Sequence, residues 1–156
     1  MKNQNFLRKI KFQNQISLVE PNSEIKDSYL SDSESYFSSA KILFNLNKLK
    51  ETTQLVYFSV YYSLLAILFR IGIKSENHLA SVILLKEIFD IDNEFILSLR
   101  KKRVATYYPN FEIEKKILEK TINDAEEFND KILNFLSNLS QEKINFYKNK
   151  FKNLLK

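Results

Sequence analysis

The feature that most constrains the fold is the run Leu55 to Ile73, LVYFSVYYSLLAILFRIGI, nineteen residues with one charge at Arg70. Its length would let it cross a bilayer as a single helix. Four hydroxyl-bearing residues, Ser59, Tyr61, Tyr62 and Ser63, fall in its middle, and the segments on either side read as amphipathic helices that need a shared core. A helix apolar on all sides is what a bundle buries at its centre or between two subunits. The run is therefore read as the central helix of an all-α bundle, with no membrane as partner.

The surrounding sequence supplies about four more helices. Asn22 or Ser23, after Pro21 and before Glu24, can cap a helix running to about Leu49, with Ile25, Tyr29, Tyr36, Ala40, Leu43 and Phe44 on its buried side. Ser31, Asp32, Ser33, Glu34 and Lys41 are expected mostly in water. Lys48 to Thr53 reads as a polar break, and Gly72 as the left-handed end of the central helix. Ser75 to His78 leads into a helix over Leu79 to Phe89, and a further one starts near Glu94 and must end before Pro109. A long amphipathic helix from about Glu112 to Leu139 carries Ile113, Ile117, Thr121, Ala125, Phe128, Ile132 and Phe135 at helical spacing. Residues 1–20 show little period and are expected as an extended or partly ordered arm packing through Phe6, Leu7, Ile10 and Phe12. Residues 21–139 form the bundle. Residues 140–156 form a lysine-rich C-terminal helix or tail opened by Ser140, with Ile144, Tyr147, Phe151 and Leu154 on one side.

Composition narrows the chemistry. The chain has 156 residues, 24 Lys plus Arg against 19 Asp plus Glu, one Gly, no Cys and one His. One domain with a modest core is the expectation for that length. Glycine-rich phosphate loops, zinc clusters and disulfide frameworks each need residues that the chain lacks. The net charge of +5 permits an acidic partner such as nucleic acid without demanding one. Met1 to Asn5 leads into no apolar segment, so no secretory signal is expected and the location is read as cytoplasmic. Asp90, Asp92 and Glu94, or Asp124, Glu126 and Glu127, have the spacing of an ordinary solvated helix surface, and no metal or cofactor is expected. His78 lacks the partner of a Glu-x-x-His metal motif, because Ser75 stands three residues before it. Its plain role is capping or packing.

The densest constellation is Arg100-Lys101-Lys102-Arg103 followed by Tyr107, Tyr108 and Pro109. Arginine can hold phosphate, and tyrosine can stack a base or ribose. The competing reading has Arg103 paired with a carboxylate of the long helix and both tyrosines packed into the bundle.

With these residues in view, the chain resembles the HEPN family, specifically a small archaeal and bacterial branch in which the Arg-x4-6-His signature becomes an arginine followed by tyrosine. Three stretches carry the resemblance: Tyr61-Tyr62-Ser63-Leu64-Leu65-Ala66, Gly72-Ile73-Lys74-Ser75-Glu76-Asn77-His78, and Arg103-Val104-Ala105-Thr106-Tyr107-Tyr108, with Arg103 and Tyr108 at the signature positions. The likeness covers roughly residues 20 to 137. It implies a homodimer whose late helices line a cleft and, in catalytic members, a metal-independent ribonuclease in which arginine steadies phosphate charge and histidine handles protons. It also implies a partner, a small nucleotidyltransferase of the MNT type, in a toxin–antitoxin pair where a tyrosine beside the signature can be nucleotidylated; Tyr107 and Tyr108 are the tyrosines so placed.

No histidine follows Arg103 within six residues. An ordinary tyrosine titrates near pH 10, so Tyr108 can replace it only if Arg103 or Lys102 lowers its pKa. His78 is the other proton carrier, from another helix or the second subunit. The resemblance thus implies a toxin-side HEPN protein acting on or binding RNA or nucleotides. The alternatives are a non-catalytic nucleotide-binding or protein-interaction module partnering a nucleotidyltransferase, and a plain helical scaffold.

Overall fold

A computed structural model describes residues 2–156. The order of elements is α1 (Lys2–Phe12), β1 (Ile16–Leu18), α2 (Ser23–Asn45), α3 (Leu49–Ile71), β2 (Ile73–Ser75), α4 (His78–Phe89), α5 (Glu94–Ala105), α6 (Lys115–Ser137) and α7 (Gln141–Leu154). The class is all-α, with one two-stranded ribbon. Among the described residues there are seven helices where about five were expected, and the additional two lie at the ends of the chain.

Helix α3 is the centre, packing against α2, β2, α4, α5, α6 and α7. It is long and apolar enough to cross a membrane, yet most of its apolar stretch is buried inside the protein. Val56, Tyr57, Val60, Leu64, Ile67, Leu68 and Ile71 point into the core from several sides. The serines that looked out of place in this helix are paired across its neighbours. Ser63 Oγ donates to Asn129 Oδ1 of α6 at 2.8 Å, Asn129 Nδ2 donates to Ser59 Oγ at 2.9 Å, and Ser33 Oγ of α2 donates to the Ser59 carbonyl at 2.7 Å. A satisfied buried network of this kind fixes how three helices slide against one another.

Capping chemistry sets the helix ends. Asn22, Asn77 and Ser140 each accept a backbone N–H from three residues ahead, at the starts of α2, α4 and α7. Gly72 ends α3 with φ +87°, and a Cβ there would stand 2.5 Å from the Val19 carbonyl oxygen. The backbone of Val19 donates to the Gly72 carbonyl at 2.9 Å. This close approach lets β1 pair antiparallel with β2, Ile16 opposite Ser75 and Leu18 opposite Ile73, and the ribbon then delivers the chain to His78.

Three local expectations change. Lys48 to Thr53 is no break: α3 already begins at Leu49, and the Thr52 and Thr53 hydroxyls donate to the carbonyls of Lys48 and Leu49, which satisfies them inside the helix. Ser33, expected in water, is buried by its bond to Ser59. The first twenty residues hold helix α1 and strand β1 in place of an extended arm, because Leu7 and Ile10 share a face that buries against the core while Phe12 stays in solvent. Asn3 Nδ2 ties α1 to Glu87 of α4 at 3.0 Å. At the other end α7 packs on α3 and α4 and buries Ile144 and Phe151, Leu155 just beyond it is buried too, and Lys150 Nζ donates to the Ile88 carbonyl near the end of α4.

Candidate functional site

Helix α5 lies against α3 and ends in the basic run. Successive residues of a helix diverge by about 100°, so the four cations do not form one patch. Arg100 and Arg103, three apart, share the side facing α3 and the start of α4, where both act on His78. Lys101 is exposed on its own, and Lys102 lines a groove on another side.

Arg103 is held by rings. Its guanidinium carbon lies 5.3 Å from the ring centre of Tyr57, 5.0 Å from that of Phe58 and 5.4 Å from that of Tyr107, and its Nη2 donates to the Tyr107 hydroxyl at 2.6 Å. No carboxylate comes within 4 Å of it among the described residues, so the expected pairing with the long helix does not form. A guanidinium flanked by aromatic faces keeps its full charge and most of its N–H donors for an outside ligand. The end of α5 is pinned by Thr106, whose hydroxyl donates to the Arg103 carbonyl at 2.6 Å and accepts from Gln54 Nε2 of α3 at 2.8 Å.

His78, the first residue of α4, stacks on Tyr61 with ring centres 4.1 Å apart and lies nearly parallel to Tyr57 at 6.1 Å. Its Nδ1 is hydrogen-bonded to the Tyr57 hydroxyl at 2.9 Å. Burial, then the charges of Arg103 and Arg100, push its pKa below the ordinary 6.5, so the ring is uncharged at neutral pH. Burial pushes the fully enclosed Tyr57 phenol up to about 12; Tyr61 adds to the shift and Arg103 opposes it. Tyr61 in turn is bonded to Ser81 at 3.3 Å. Tyr57 thus carries Arg103 against its ring and His78 on its hydroxyl, joining two residues that stand 25 positions apart in the chain (103 minus 78).

The arrangement can hold an anion. It presents the Arg103 guanidinium and an imidazole on a base of buried tyrosines, with the charge of Arg100 acting on His78 and Tyr57, a set of donors and positive charge that suits phosphate. Among the described residues no group of three or more His, Asp and Glu side chains gathers as metal ligands.

Tyr108 is not part of this cluster. It lines an open groove of about 1160 Å³ with Lys48, Lys50, Glu51, Lys102 and Phe111. The reason lies in the turn after α5: the helix ends at Ala105, and the Tyr107 and Tyr108 backbone N–H groups donate to the Val104 and Ala105 carbonyls in tight turns, from which one side chain reaches Arg103 and the other the groove. Tyr107 and Tyr108 are both exposed, at 61% and 63%. Sequence reasoning passed over Tyr57 as a site residue, although its spacing of four from Tyr61 signals a two-ring shelf on one helix face.

The chain belongs to the HEPN domain family, which it matches over residues 27–138. The matched stretch contains α3, the turn to His78, and all of α5, so the whole cluster falls within it. Searches of curated proteins and of solved structures return no match.

Proposed function

We propose that this HEPN protein binds RNA or a nucleotide through a phosphate group seated between Arg103, Arg100 and His78, as the toxin-side member of a toxin–antitoxin-type pair. The observation that carries the reading is the meeting of His78 and Arg103 on Tyr57. It supplies, from an earlier helix, the histidine that the sequence lacks after Arg103. The uncompensated charge of Arg103 supports the same reading, since an unpaired guanidinium beside solvent attracts an anion. The pair acts in the cytoplasm, where the partner is a minimal nucleotidyltransferase and the HEPN chain a homodimer, as the family resemblance implies. Tyr107 and Tyr108 are both exposed to such a partner, Tyr107 with its hydroxyl bonded to Arg103.

Two outcomes of binding are open to the site, and each has its own support. Cleavage is favoured by an uncharged histidine beside arginine, since a bare ring nitrogen can take a proton from a ribose hydroxyl while arginine steadies the phosphate charge. Binding without turnover is favoured by the bond between Nδ1 and the Tyr57 hydroxyl, which occupies one of the two nitrogens. The experiment incubates a fluorescent single-stranded RNA with the chain and its Arg103→Ala form in chelator, reading anisotropy and fragment length together. The proposal expects binding that Arg103→Ala weakens at least about tenfold. Equal binding by both proteins would overturn the site. Fragments ending in 2′,3′-cyclic phosphate that disappear with Arg103→Ala would establish a ribonuclease; binding without fragments would establish the non-catalytic module.

A further inference from the structure

The hydrogen bond between Tyr57 and His78 has a direction, and burial determines it. Tyr57 is wholly enclosed, and among the described residues the one hydrogen-bond partner of its hydroxyl is His78 Nδ1. If Nδ1 carried a hydrogen, it would donate to the phenol oxygen and leave the phenol hydrogen with no acceptor, in a place that water does not reach. A buried unpaired donor is strongly disfavoured. The phenol therefore donates and Nδ1 accepts. A neutral imidazole has one N–H and one bare nitrogen, so the hydrogen must sit on Nε2.

Among the described residues Nε2 has no hydrogen-bond partner, and His78 is half-buried. No buried side-chain nitrogen or oxygen is left without a partner in the described residues. Nε2 consequently reaches the surface, on the ring that Arg103 and Arg100 act upon. We propose that Tyr57 is a positioning residue that locks His78 as its Nε2–H tautomer, so that the site meets a phosphate oxygen with an uncharged N–H donor beside two guanidiniums. The phosphate part rests on the function proposed above; the lock itself does not. In this form Nε2 is unable to accept a proton from a ribose hydroxyl, because its lone pair belongs to the ring and it already carries hydrogen. The locked site is built to hold phosphate, and a proton acceptor for cleavage would have to come from outside this cluster.

The lock also resists acid. Adding a proton puts hydrogen on Nδ1, which forces the Tyr57 hydroxyl to accept and strands its own hydrogen in the core. The groups that face the ring are Tyr57 and Tyr61 from α3 and Arg100 and Arg103 from α5. None of the four is a carboxylate that would favour the charged ring.

His78 is the one histidine of the chain, so nitrogen-15 spectra of the intact protein report it without assignment. At pH 7.5 the expected spectrum has Nδ1 in the bare-nitrogen range and Nε2 in the N–H range. Tyr57→Phe, checked for folding by circular dichroism, is expected to release the lock: the two tautomers mix, and the titration midpoint rises by about one pH unit. A wild-type spectrum with hydrogen on Nδ1 overturns the proposal by itself, even if the variant does not fold. So does a folded Tyr57→Phe protein with unchanged tautomer and midpoint. Inorganic phosphate then separates the two claims. Movement of Nε2 beyond that of Nδ1 supports the seated phosphate, whereas a locked ring that phosphate does not disturb leaves the tautomer standing and removes the phosphate reading.

Discussion

The two sides of the end of α5 show how one short sequence serves two different surroundings. On one side Arg103 is caged by Tyr57, Phe58 and Tyr107, with His78 bonded to the Tyr57 hydroxyl. On the other, one residue before Arg103 and one after Tyr107, Lys102 and Tyr108 border an open groove whose walls carry Lys48 and Lys50 against Glu51, Glu112 and Glu114. The cage has positive charge without a compensating carboxylate. The groove has both signs in equal number, three lysines and three glutamates. Charge balance, more than the number of cations, therefore distinguishes the two sides, and the proposed function assigns phosphate to the uncompensated one.

The largest expected effect tests whether the cage depends on the turn that brings His78 to it. Gly72→Ala places a side chain at φ +87° against the Val19 carbonyl, and should cost about 2 to 3 kcal/mol of stability, read as a lower midpoint in urea unfolding. Disruption should centre on β1, β2 and His78. Histidine signals that stay in place while the groove side moves would break the division drawn here.

Next comes charge. Arg103→Ala should weaken RNA binding at least about tenfold, or about 1.4 kcal/mol, whereas Lys102→Ala should weaken it no more than about twofold. Titration of the same labelled RNA against both variants checks this. Equal losses would mean that α5 acts as one undivided basic stripe.

Tyr107→Phe and Tyr108→Phe make a finer comparison, since both residues are exposed and adjacent. Removing the Tyr107 hydroxyl frees the Nη2 of Arg103 from its 2.6 Å bond and should change RNA affinity by about twofold to threefold, equivalent to under about 1 kcal/mol. Removing that of Tyr108 should leave affinity unchanged. The reverse order would favour Tyr108, the signature tyrosine of the family resemblance, over Tyr107 as the residue that acts with Arg103.

The smallest effect is on stability in mild acid. His78 has a pKa below 6.5 in the folded protein, so the unfolded chain binds a proton that the folded chain refuses. Stability from this source is complete above pH 6.5 and falls as pH drops from there towards the folded value. Thermal unfolding between pH 7.5 and 5.5 should show that decline in the wild type and lose it in His78→Asn, which carries no group that titrates in that range. A decline of the same size in both proteins would assign it elsewhere.

Much of the frame was legible in the sequence because it depends on local chemistry. Asn22 and Ser140 cap where capping residues were read, and Gly72 ends α3 where a left-handed residue was required. Thr52 and Thr53 misled because a threonine can turn its hydroxyl back to a carbonyl one turn earlier and pass for a helix break. Helix α1 was hidden for a different reason: Leu7 and Ile10 are its only buried residues, too few to show a period. In the site, Arg103 and His78 were readable as types, but their meeting depends on how α5 lies across α3, which no local pattern encodes. Tyr57 was hidden in an apolar run where its hydroxyl looked like packing. The parting of Tyr107 from Tyr108 depends on the tight turn that follows Ala105, which no helical period encodes.

The central claim is that Arg103 and His78 hold one and the same phosphate, and a double-mutant cycle tests it most directly. RNA affinity is measured for the wild type, Arg103→Ala, His78→Asn and the double variant under one salt condition, with folding checked in each. If both residues grip a single phosphate, the second substitution should cost much less in the presence of the first, with a coupling of at least about 0.5 kcal/mol. Losses that simply add, or a His78→Asn protein that binds as the wild type does, would contradict the claim and leave the two residues as neighbours without a common ligand.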